Sequence, residues 1–317
     1  MTHSEQVWIL SDGHAGNVRQ AAALANALTM LPIRNVVLQT RAPWRWIAPR
    51  MWPGAGRAFG RAFAEGLQAA PPIAIGCGRQ AALATRVLRA HGSKTVQILD
   101  PRMDPTHWDV VIAPEHDGVR GDNVITLLGS LHPVDDAWLR SAREQFAAFA
   151  RLPRPRIAVL LGGPSRHARF DRSAFEVLAA KLEVVLAREG GSVLISTSRR
   201  TPQTLRDALR HRYVETPHVL WLGPDDGDNP YPGLLGWADR IVCSPDSVNM
   251  ISEACATHAP VFVFDPARVR GRPQKFLDSL LARGRTRAMD STLTPFDVEP
   301  LRETARVADE VRRRLDL

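Results

Sequence analysis

Short, continuously apolar runs alternate with helix-period segments along nearly the whole chain, and this alternation most constrains the fold. A strand whose side chains are all apolar has to be covered on both faces, as strands are in parallel sheets that lie between helix layers. The sequence therefore predicts an α/β protein with parallel sheets. The predicted strands are 7–10, 33–38, 73–75, 96–99, 110–112, 124–127, 157–161, 193–195, 219–222, 241–243 and 261–264. The predicted helices between them are 18–28, 80–89, 174–188, 204–210, 248–256 and 273–282.

The chain divides near its middle. A predicted helix over 137–150 is followed by RLPRPR at 151–156, where two prolines among arginines prevent helix continuation and make a stiff connector. A new strand starts at Ile157, and a last helix is predicted over 300–315. We expect two Rossmann-like domains, 1–152 and 153–297, which suits a length of 317 residues.

Composition and charge narrow the class of protein. The apolar fraction of 44% permits a full core in each domain, and the net charge of +8, carried mostly by arginine, suits partners that bear phosphate. Cys77, Cys243 and Cys255 match no zinc or iron–sulfur spacing and fit a reducing compartment. The first residues lack the basic region of a signal peptide, and no apolar stretch is long enough to span a bilayer. We expect a cytoplasmic protein whose membrane contact, if it has one, is peripheral.

The first strand-to-helix loop, SDGHAGN at 11–17, carries two titratable side chains. Ligands of open parallel sheets bind beyond the carboxyl ends of the strands, so Asp12 or His14 is a candidate general base there. Gly13 and Gly16 permit tight backbone geometry, and Asn17 is a suitable N-cap for the next helix. A glycine-rich turn without chemistry is the alternative, and the spacing is not that of a dinucleotide-binding GxGxxG motif.

Two further loops of the first half carry candidate residues. In GCGRQ at 76–80, Gly76 and Gly78 open the backbone and Arg79 is a candidate anion ligand, whereas Cys77 lacks a neighbouring base and is not expected to be a nucleophile. In APEHD at 113–117, which follows the predicted strand 110–112, His116 and Asp117 are candidates for proton transfer or substrate positioning. Adjacent residues seldom converge on one ion, so no metal site is expected.

Two loops of the second half combine hydroxyl groups with cations. Gly162, Gly163 and Ser165 follow a strand and form a candidate anion nest. Ser198, Arg199 and Arg200 follow the next strand, and paired guanidinium groups suit a diphosphate. A solvated arginine pair is the alternative. Three further basic residues follow the first of these loops: Arg166, His167 and Arg169.

The segment SPDSVNMISEA at 244–254 predicts a capped helix N-terminus at the same sheet edge. Ser247 is the expected N-cap, so that the first N–H groups of the helix face a phosphate. Asp246 and Met250 flank this end, and Glu253, nearly two turns on, is expected to project toward a ligand and accept hydrogen bonds from ribose hydroxyls. The alternative is a capped amphipathic helix with Glu253 in water.

The segment from Arg41 to Glu65 contains five arginines, one acid and five aromatic residues. The i, i+4 pairs Arg57/Arg61 and Phe59/Phe63 predict a short helix with a basic and an aromatic face. Three interpretations stay open: packing against the core with extended arginine side chains, docking on lipid headgroups, and binding of single-stranded nucleic acid, which is the least favoured.

Taken in order, these loops resemble the plant mitochondrial-fission "elongated mitochondria" family and its bacterial homologues. The residues that carry the resemblance lie at 11–17, 76–79, 100–102, 114–117, 162–165, 196–201 and 246–254. The resemblance implies a GT-B-like fold, in which two Rossmann-like domains face a cleft and a C-terminal helix, about 298–317 here, crosses back to the first domain. Bacterial members are often described as glycosyltransferases, whereas the plant branch recruits fission machinery; the arginine-rich composition favours a bacterial member.

A more distant similarity to MurG-like enzymes implies roles for two residues. His14 lies in the context of their glycine-and-histidine loop, and Glu253 in that of their ribose-binding glutamate, although DGHAG at 12–16 replaces a longer glycine run. The leading hypothesis is metal-independent sugar transfer from a nucleotide-sugar, a substrate rather than a cofactor, to an acceptor that is lipid-linked or an envelope glycan. A non-catalytic adaptor of the same fold and a nucleotide-sugar epimerase are the alternatives.

Overall fold

The computed structural model describes residues 6–168 and 170–317, which form two compact units. Unit 1 comprises the chain up to Pro133 together with Glu303–Leu317, and unit 2 comprises Val134–Arg302. The C-terminal segment thus belongs to unit 1. The boundary lies 19 residues before the predicted one, because the helix ahead of the proline connector packs on unit 2.

Unit 1 contains a six-stranded, fully parallel sheet in the order β2-β1-β3-β4-β5-β6. Its strands are β1 (Val7–Ser11), β2 (Ile33–Val37), β3 (Ile73–Cys77), β4 (Lys94–Ile98), β5 (Val110–Pro114) and β6 (Val124–Leu127). Its helices, numbered in chain order over the whole protein, are α1 (Ala15–Leu28), α2 (Trp44–Ile47), α3 (Arg61–Gly66), α4 (Arg79–Arg89) and the last helix, α11 (Thr304–Leu315).

Strand β1 shows why its run of apolar residues is continuous. Val7 and Ile9 pack in the core formed with α1 and α11, whereas Trp8 and Leu10 pack in the core formed with α4 and segment 41–65. Successive side chains of a strand point to opposite faces, so a strand covered on both sides favours apolar residues at successive positions.

Unit 2 contains a second parallel sheet, in the order β12-β11-β10-β7-β8-β9. Its strands are β7 (Arg156–Leu161), β8 (Ser192–Thr197), β9 (His218–Trp221), β10 (Arg240–Cys243), β11 (Val261–Val263) and β12 (Thr286–Ala288). Its helices are α5 (Asp136–Gln145), α6 (Arg172–Glu189), α7 (Gln203–Arg212), α8 (Tyr231–Trp237), α9 (Val248–Cys255) and α10 (Arg272–Ala282). The order is that of a Rossmann sheet, so the predicted fold class is confirmed.

Several boundaries differ from the predicted ones. The helix predicted over 137–150 ends at Gln145 and continues as a 3₁₀ turn, and α11 begins at Thr304, four residues later than predicted. Gly60 has a φ of +90° and separates α3 from the preceding 3₁₀ turn, so the arginine and phenylalanine pairs of segment 41–65 do not share one helix. Helix α8 and strand β12 were not predicted. No helix of the described residues combines the length and apolar content that spanning a membrane requires.

Candidate functional site

The strand order of unit 2 places its ligand edge between β7 and β10. From β7 the chain builds the sheet outward through β8 and β9 on one side, and from β10 it builds outward through β11 and β12 on the other side. In open parallel sheets, ligands bind beyond the carboxyl ends of the strands at the point where this direction switches. The loops after β7 and β10 border it, and the loop after β8 lies beside them. The three segments singled out in the second half of the sequence therefore share one edge.

Gly162 and Gly163 are fixed by contacts between these loops. The N–H of Gly162 donates to Ser244 Oγ at 2.7 Å, and that of Gly163 to Asp246 Oδ2 at 2.8 Å. A Cβ on Gly162 would lie 2.0 Å from Asp246 Oδ2, and one on Gly163 would lie 2.1 Å from the carbonyl oxygen of Arg200. The glycines permit close packing of protein on protein. The prediction that they form an anion nest is wrong, because a carboxylate and a hydroxyl of the chain itself take their N–H groups.

Asp246 holds Arg200 as well. The carboxylate side chain is fully buried, and Oδ2 lies 2.7 Å from Arg200 Nη2, while Arg200 Nη1 donates to the carbonyl of Gly163 at 2.8 Å. Arg200 is therefore a clamp between the loops after β7, β8 and β10, and the alternative of a solvated arginine pair does not hold for it. Arg199 is exposed and has no partner among the described residues, so one of the two predicted guanidinium groups is available to a ligand.

The hydroxyl groups of these loops mainly brace the backbone. Ser165 Oγ accepts from the N–H groups of His167 (3.2 Å) and Ala168 (3.1 Å), and Ser198 Oγ accepts from the N–H of Arg200 at 3.2 Å. Each serine oxygen is occupied as an acceptor. The proton of Ser165 can still be donated to a ligand.

The loop after β11 supplies a basic residue that the sequence analysis did not single out. The N–H of Arg270 donates to the carbonyl of His167 at 2.8 Å, and Ala168 and Val269 form an isolated antiparallel bridge. The exposed side chains of Arg270 and Arg166 thus belong to two loops that are joined by backbone hydrogen bonds. Arg169 lies outside the described residues.

Helix α9 begins where the sequence predicts it. Ser247 is the N-cap, and its Oγ accepts from the N–H of Met250 at 3.4 Å. Glu253 is buried, and its Oε2 accepts a hydrogen bond of 2.6 Å from the hydroxyl of Tyr231 on α8. The interpretation that placed Glu253 in water is therefore wrong, and its binding to ribose stays a prediction. Tyr231 was missed because nothing in the sequence links it to Glu253, which lies 22 residues further along the chain.

Unit 1 brings three predicted residues, Asp12, His14 and Asn17, together at its own switch point, between β1 and β3. Asp12 Oδ1 accepts from the side-chain amide of Asn17 (2.9 Å) and the N–H of His14 (3.1 Å), and lies 3.0 Å from His14 Nδ1. Burial would raise the pKa of Asp12, but the hydrogen bonds from Asn17 and His14 hold it below its usual value. A largely exposed imidazole is thus oriented by a carboxylate that stays ionised at neutral pH.

Asn17 does not have the role that the local sequence predicts, and it lies beside Cys77. Helix α1 begins at Ala15 with His14 as its N-cap, so the N-cap predicted at Asn17 is wrong; its Oδ1 instead lies 3.6 Å from Cys77 Sγ. Cys77 is fully buried at the end of β3, and burial raises the pKa of its thiol. The expectation that Cys77 is not a nucleophile agrees with this environment.

The glycines of these loops permit close packing. Gly13 and Gly78 have positive φ values of 80° and 90°, whereas Gly16 lies within α1. A Cβ on Gly78 would lie 2.9 Å from Asn17 Nδ2, and one on Gly76 would lie 2.7 Å from a methyl carbon of Thr85. Each of these two close approaches joins the end of β3 to a neighbouring element.

Arg79 donates hydrogen bonds to protein carbonyls. Its guanidinium donates to the carbonyls of Trp46 (3.2 Å), Ala48 (3.1 Å) and Arg45 (3.0 Å). This side chain holds segment 41–65 in place, and the anion-binding role of Arg79 stays a prediction.

His116 and Asp117 lie apart from this group. They form a 3₁₀ turn after β5, with 3.9 Å between His116 Nε2 and Asp117 Oδ1. Two strands separate β5 from β1, a distance of roughly 14 Å at ordinary strand spacing, so the two candidate bases do not share one substrate proton. Within residues 6–168 and 170–317 no cluster of three or more His, Cys, Asp or Glu side chains is arranged to hold a metal ion.

Comparison with known proteins agrees with this architecture. Residues 15–315 match the family described as "Mitochondrial fission ELM1". The mitochondrial fission protein ELM1 of Arabidopsis thaliana is 33% identical over 276 residues, which cover 77% of this chain and 64% of the plant protein. An uncharacterized protein of Rickettsia prowazekii, RP120, is 23% identical over 96% of this chain and 97% of its own. The chain spans about two thirds of the plant relative's length.

Solved structures of low sequence identity share the fold. A glycosyltransferase of kitacinnamycin matches with a TM-score of 0.53 at 14% identity, over 100% of this chain and 96% of that one. The Staphylococcus aureus protein MnaA, solved with UDP, matches with a TM-score of 0.51 at 11% identity, over 99% and 97%. These likenesses show two Rossmann-like domains of the kind found in GT-B glycosyltransferases and related epimerases. Because the family match extends over nearly the whole described chain, the protein belongs to the mitochondrial fission ELM1 family.

Proposed function

We propose that the protein transfers a sugar from a nucleoside diphosphate sugar to an acceptor hydroxyl. The observation that carries the proposal is the edge of unit 2 between β7 and β10, where the capped N-terminus of α9 and the exposed guanidinium of Arg199 lie on loops held together by Asp246 and Arg200. Such an edge suits a diphosphate, because a helix N-terminus and an unpaired cation both favour negative charge.

In this proposal the donor's diphosphate is held by unit 2. As the bond between the anomeric carbon and the diphosphate breaks, negative charge grows on the leaving group. Arg199 and the positive end of α9 stabilise that charge, and Arg270 and Arg166 add cations from the neighbouring loops. The Asp246–Arg200 pair keeps the loops in place and leaves both groups electrically balanced.

His14 is the general base of the proposal. Its Nδ1 lies 3.0 Å from Asp12, which orients the ring and stabilises the imidazolium that forms. The acceptor oxygen bonds to the anomeric carbon, its proton passes to His14, and the nucleoside diphosphate leaves with the electrons of the broken bond. The acceptor is lipid-linked or an envelope glycan, and the protein acts peripherally at a membrane.

Calorimetric titration of the whole protein with UDP, GDP and CMP tests donor binding. We expect UDP or GDP, which carry a diphosphate, to bind more tightly than CMP, and Arg199→Ala to weaken that binding at least about tenfold, since hydrogen bonds to charged groups are worth about 1.5–3 kcal/mol. Arg140→Ala, an exposed arginine of the same unit, is the matched control. No binding at roughly 1 mM of any nucleotide would contradict the proposal.

His14→Ala separates catalysis from donor binding. Loss of a general base lowers turnover by about 10²–10⁴-fold, whereas nucleotide affinity should be unchanged because His14 belongs to unit 1. A variant that loses nucleotide affinity together with turnover would contradict the assignment of the base.

A non-catalytic adaptor is the second candidate, and membership of a family named for mitochondrial fission favours it. An adaptor would form a stable protein complex that survives both Arg199→Ala and His14→Ala. An epimerase of the same fold would convert a nucleotide-sugar without an acceptor, which proton NMR of the sugar would detect.

A further inference from the structure

Segment 41–65 of unit 1 exposes two tryptophans. Trp46 is 70% exposed and Trp52 is 56% exposed, with Met51 exposed between them. The other side of the segment is part of the core, where Phe63 is buried against Trp8. Packing against the core therefore explains the inner side of the segment and leaves the outer side unexplained.

The exposed side chains stand on a braced backbone. Arg79 holds the carbonyls of Trp46 and Ala48, and Arg86 donates to the carbonyl of Pro49 at 2.8 Å. The exposure of Trp46 is therefore a property of the folded structure rather than of a frayed loop, and the backbone loses little freedom when the surface binds a partner.

The charge of the segment is positive and largely unpaired. Arg41, Arg45, Arg50 and Arg57 are exposed, and no carboxylate in the described part of the chain pairs with them. The segment's one acid, Glu65, pairs with Arg61 at 2.6 Å. The segment that exposes these apolar side chains thus also carries four exposed guanidinium groups without a carboxylate partner among the described residues.

We propose that segment 41–65 docks unit 1 on a lipid bilayer that carries anionic headgroups. Tryptophan rings favour the boundary between headgroups and acyl chains, and guanidinium groups bind lipid phosphates. Met51 and Pro53, the exposed chain neighbours of Trp52, offer aliphatic surface that suits acyl chains rather than stacked bases. The charge and the apolar surface therefore favour a bilayer over a single-stranded nucleic acid.

The docking surface adjoins the loop that carries His14. Arg79, which holds the segment, follows Gly78, and a Cβ on Gly78 would lie 2.9 Å from Asn17, whose amide bonds to Asp12. A docked unit 1 therefore presents this loop close to the bilayer surface, where a lipid-linked hydroxyl would lie. The docking itself uses other residues than the proposed sugar transfer and stands without it.

Vesicle sedimentation with the whole protein tests the inference. We expect binding to phosphatidylcholine vesicles that contain roughly one third phosphatidylglycerol, weaker binding at high salt, and little binding to phosphatidylcholine alone. Tryptophan fluorescence should shift to shorter wavelength on binding.

Two sets of variants make the test specific. The double variant Trp46→Ala/Trp52→Ala should lower the membrane partition coefficient at least about tenfold. The double variant Arg45→Ala/Arg50→Ala should lower it about fivefold for each charge removed. Val177→Ala/Val184→Ala, two exposed apolar residues on α6, is the control that should bind as the native protein does. Circular dichroism should confirm that each variant is folded, which is expected because the replaced side chains are exposed.

Three results would overturn the inference. They are equal binding to neutral and anionic vesicles, unchanged binding of the folded tryptophan variant, and displacement of the protein from vesicles by a single-stranded oligonucleotide. Nucleotide titration by calorimetry does not depend on any of them, so the docking surface and the proposed sugar transfer can fail separately.

Discussion

Replacing Asp246 should destabilise unit 2 by more than an ordinary surface ion pair would suggest. The fully buried carboxylate accepts from the N–H of Gly163 and from Arg200, whose side chain is 43% exposed. In Asp246→Ala the N–H loses its acceptor, which costs about 1–3 kcal/mol. Arg200 can turn toward water, so the lost ion pair adds at most about 1 kcal/mol. The expected total is about 1–4 kcal/mol.

Asp246→Asn is the matched variant. It keeps the shape and an acceptor oxygen but loses the charge, and hydrogen bonds to ionised groups are roughly twice as strong as neutral ones. We therefore expect a loss of about 1–2 kcal/mol, between the native protein and the alanine variant.

Urea unfolding, followed by circular dichroism, measures these differences. A double-mutant cycle with Arg200→Ala should show that the two losses are not additive, because Arg200→Ala alone leaves Asp246 as a buried charge with one donor fewer. A change of less than about 0.5 kcal/mol in Asp246→Ala would refute the account of how the loops are held.

Three further predictions concern stability. Gly163→Ala would place a Cβ 2.1 Å from a backbone carbonyl oxygen, so we expect a loss of about 1–3 kcal/mol in urea unfolding, and an unchanged midpoint would contradict the packing. Arg285 is buried and donates to the carbonyls at the end of α9, so Arg285→Met should cost about 2–4 kcal/mol, whereas a neutral result would show that water replaces it. Hydrogen bonds from Arg313, and then from Arg314, lower the pKa of Glu310 from 4.5 to about 2. Its contribution to stability is therefore complete above pH 4.5 and is lost as the pH falls toward 2, so Glu310→Gln should flatten the acid limb of a pH series of unfolding midpoints.

The strands were predictable because burial on both faces leaves a direct trace in the sequence. The apolar residues of β1 and β7 lie where the pattern places them, since a strand between two helix layers buries the side chains of both its faces. Strand β12 leaves no such trace, because it has three residues and two of them are exposed.

Helix α8 was missed because its sequence opposes helix formation. It contains Pro232, Gly233 and Gly236, and a Cβ on Gly233 would lie 2.5 Å from the ring of Phe146. The glycines serve a contact with a segment some 90 residues earlier in the chain, and local helix propensity carries no information about such a contact.

The candidate site was predictable at the level of loops and not of pairings. The sequence identifies the loops after β1, β7, β8 and β10 as rich in glycine, hydroxyl groups and charge. It cannot show that Arg200 pairs with Asp246, 46 residues away, or that Asn17 binds Asp12 instead of capping α1. The first pairing depends on how two strands of the folded sheet place their loops, and the second on the conformation that the loop after β1 adopts.

A crystal structure of the protein with the nucleotide that binds in calorimetry tests the central claim most directly. We expect the phosphates at the carboxyl edge of the unit 2 sheet, within hydrogen-bond distance of Arg199 and the first N–H groups of α9, with the Asp246–Arg200 pair intact. A nucleotide bound elsewhere, or phosphates that displace Asp246 from Arg200, would contradict the account.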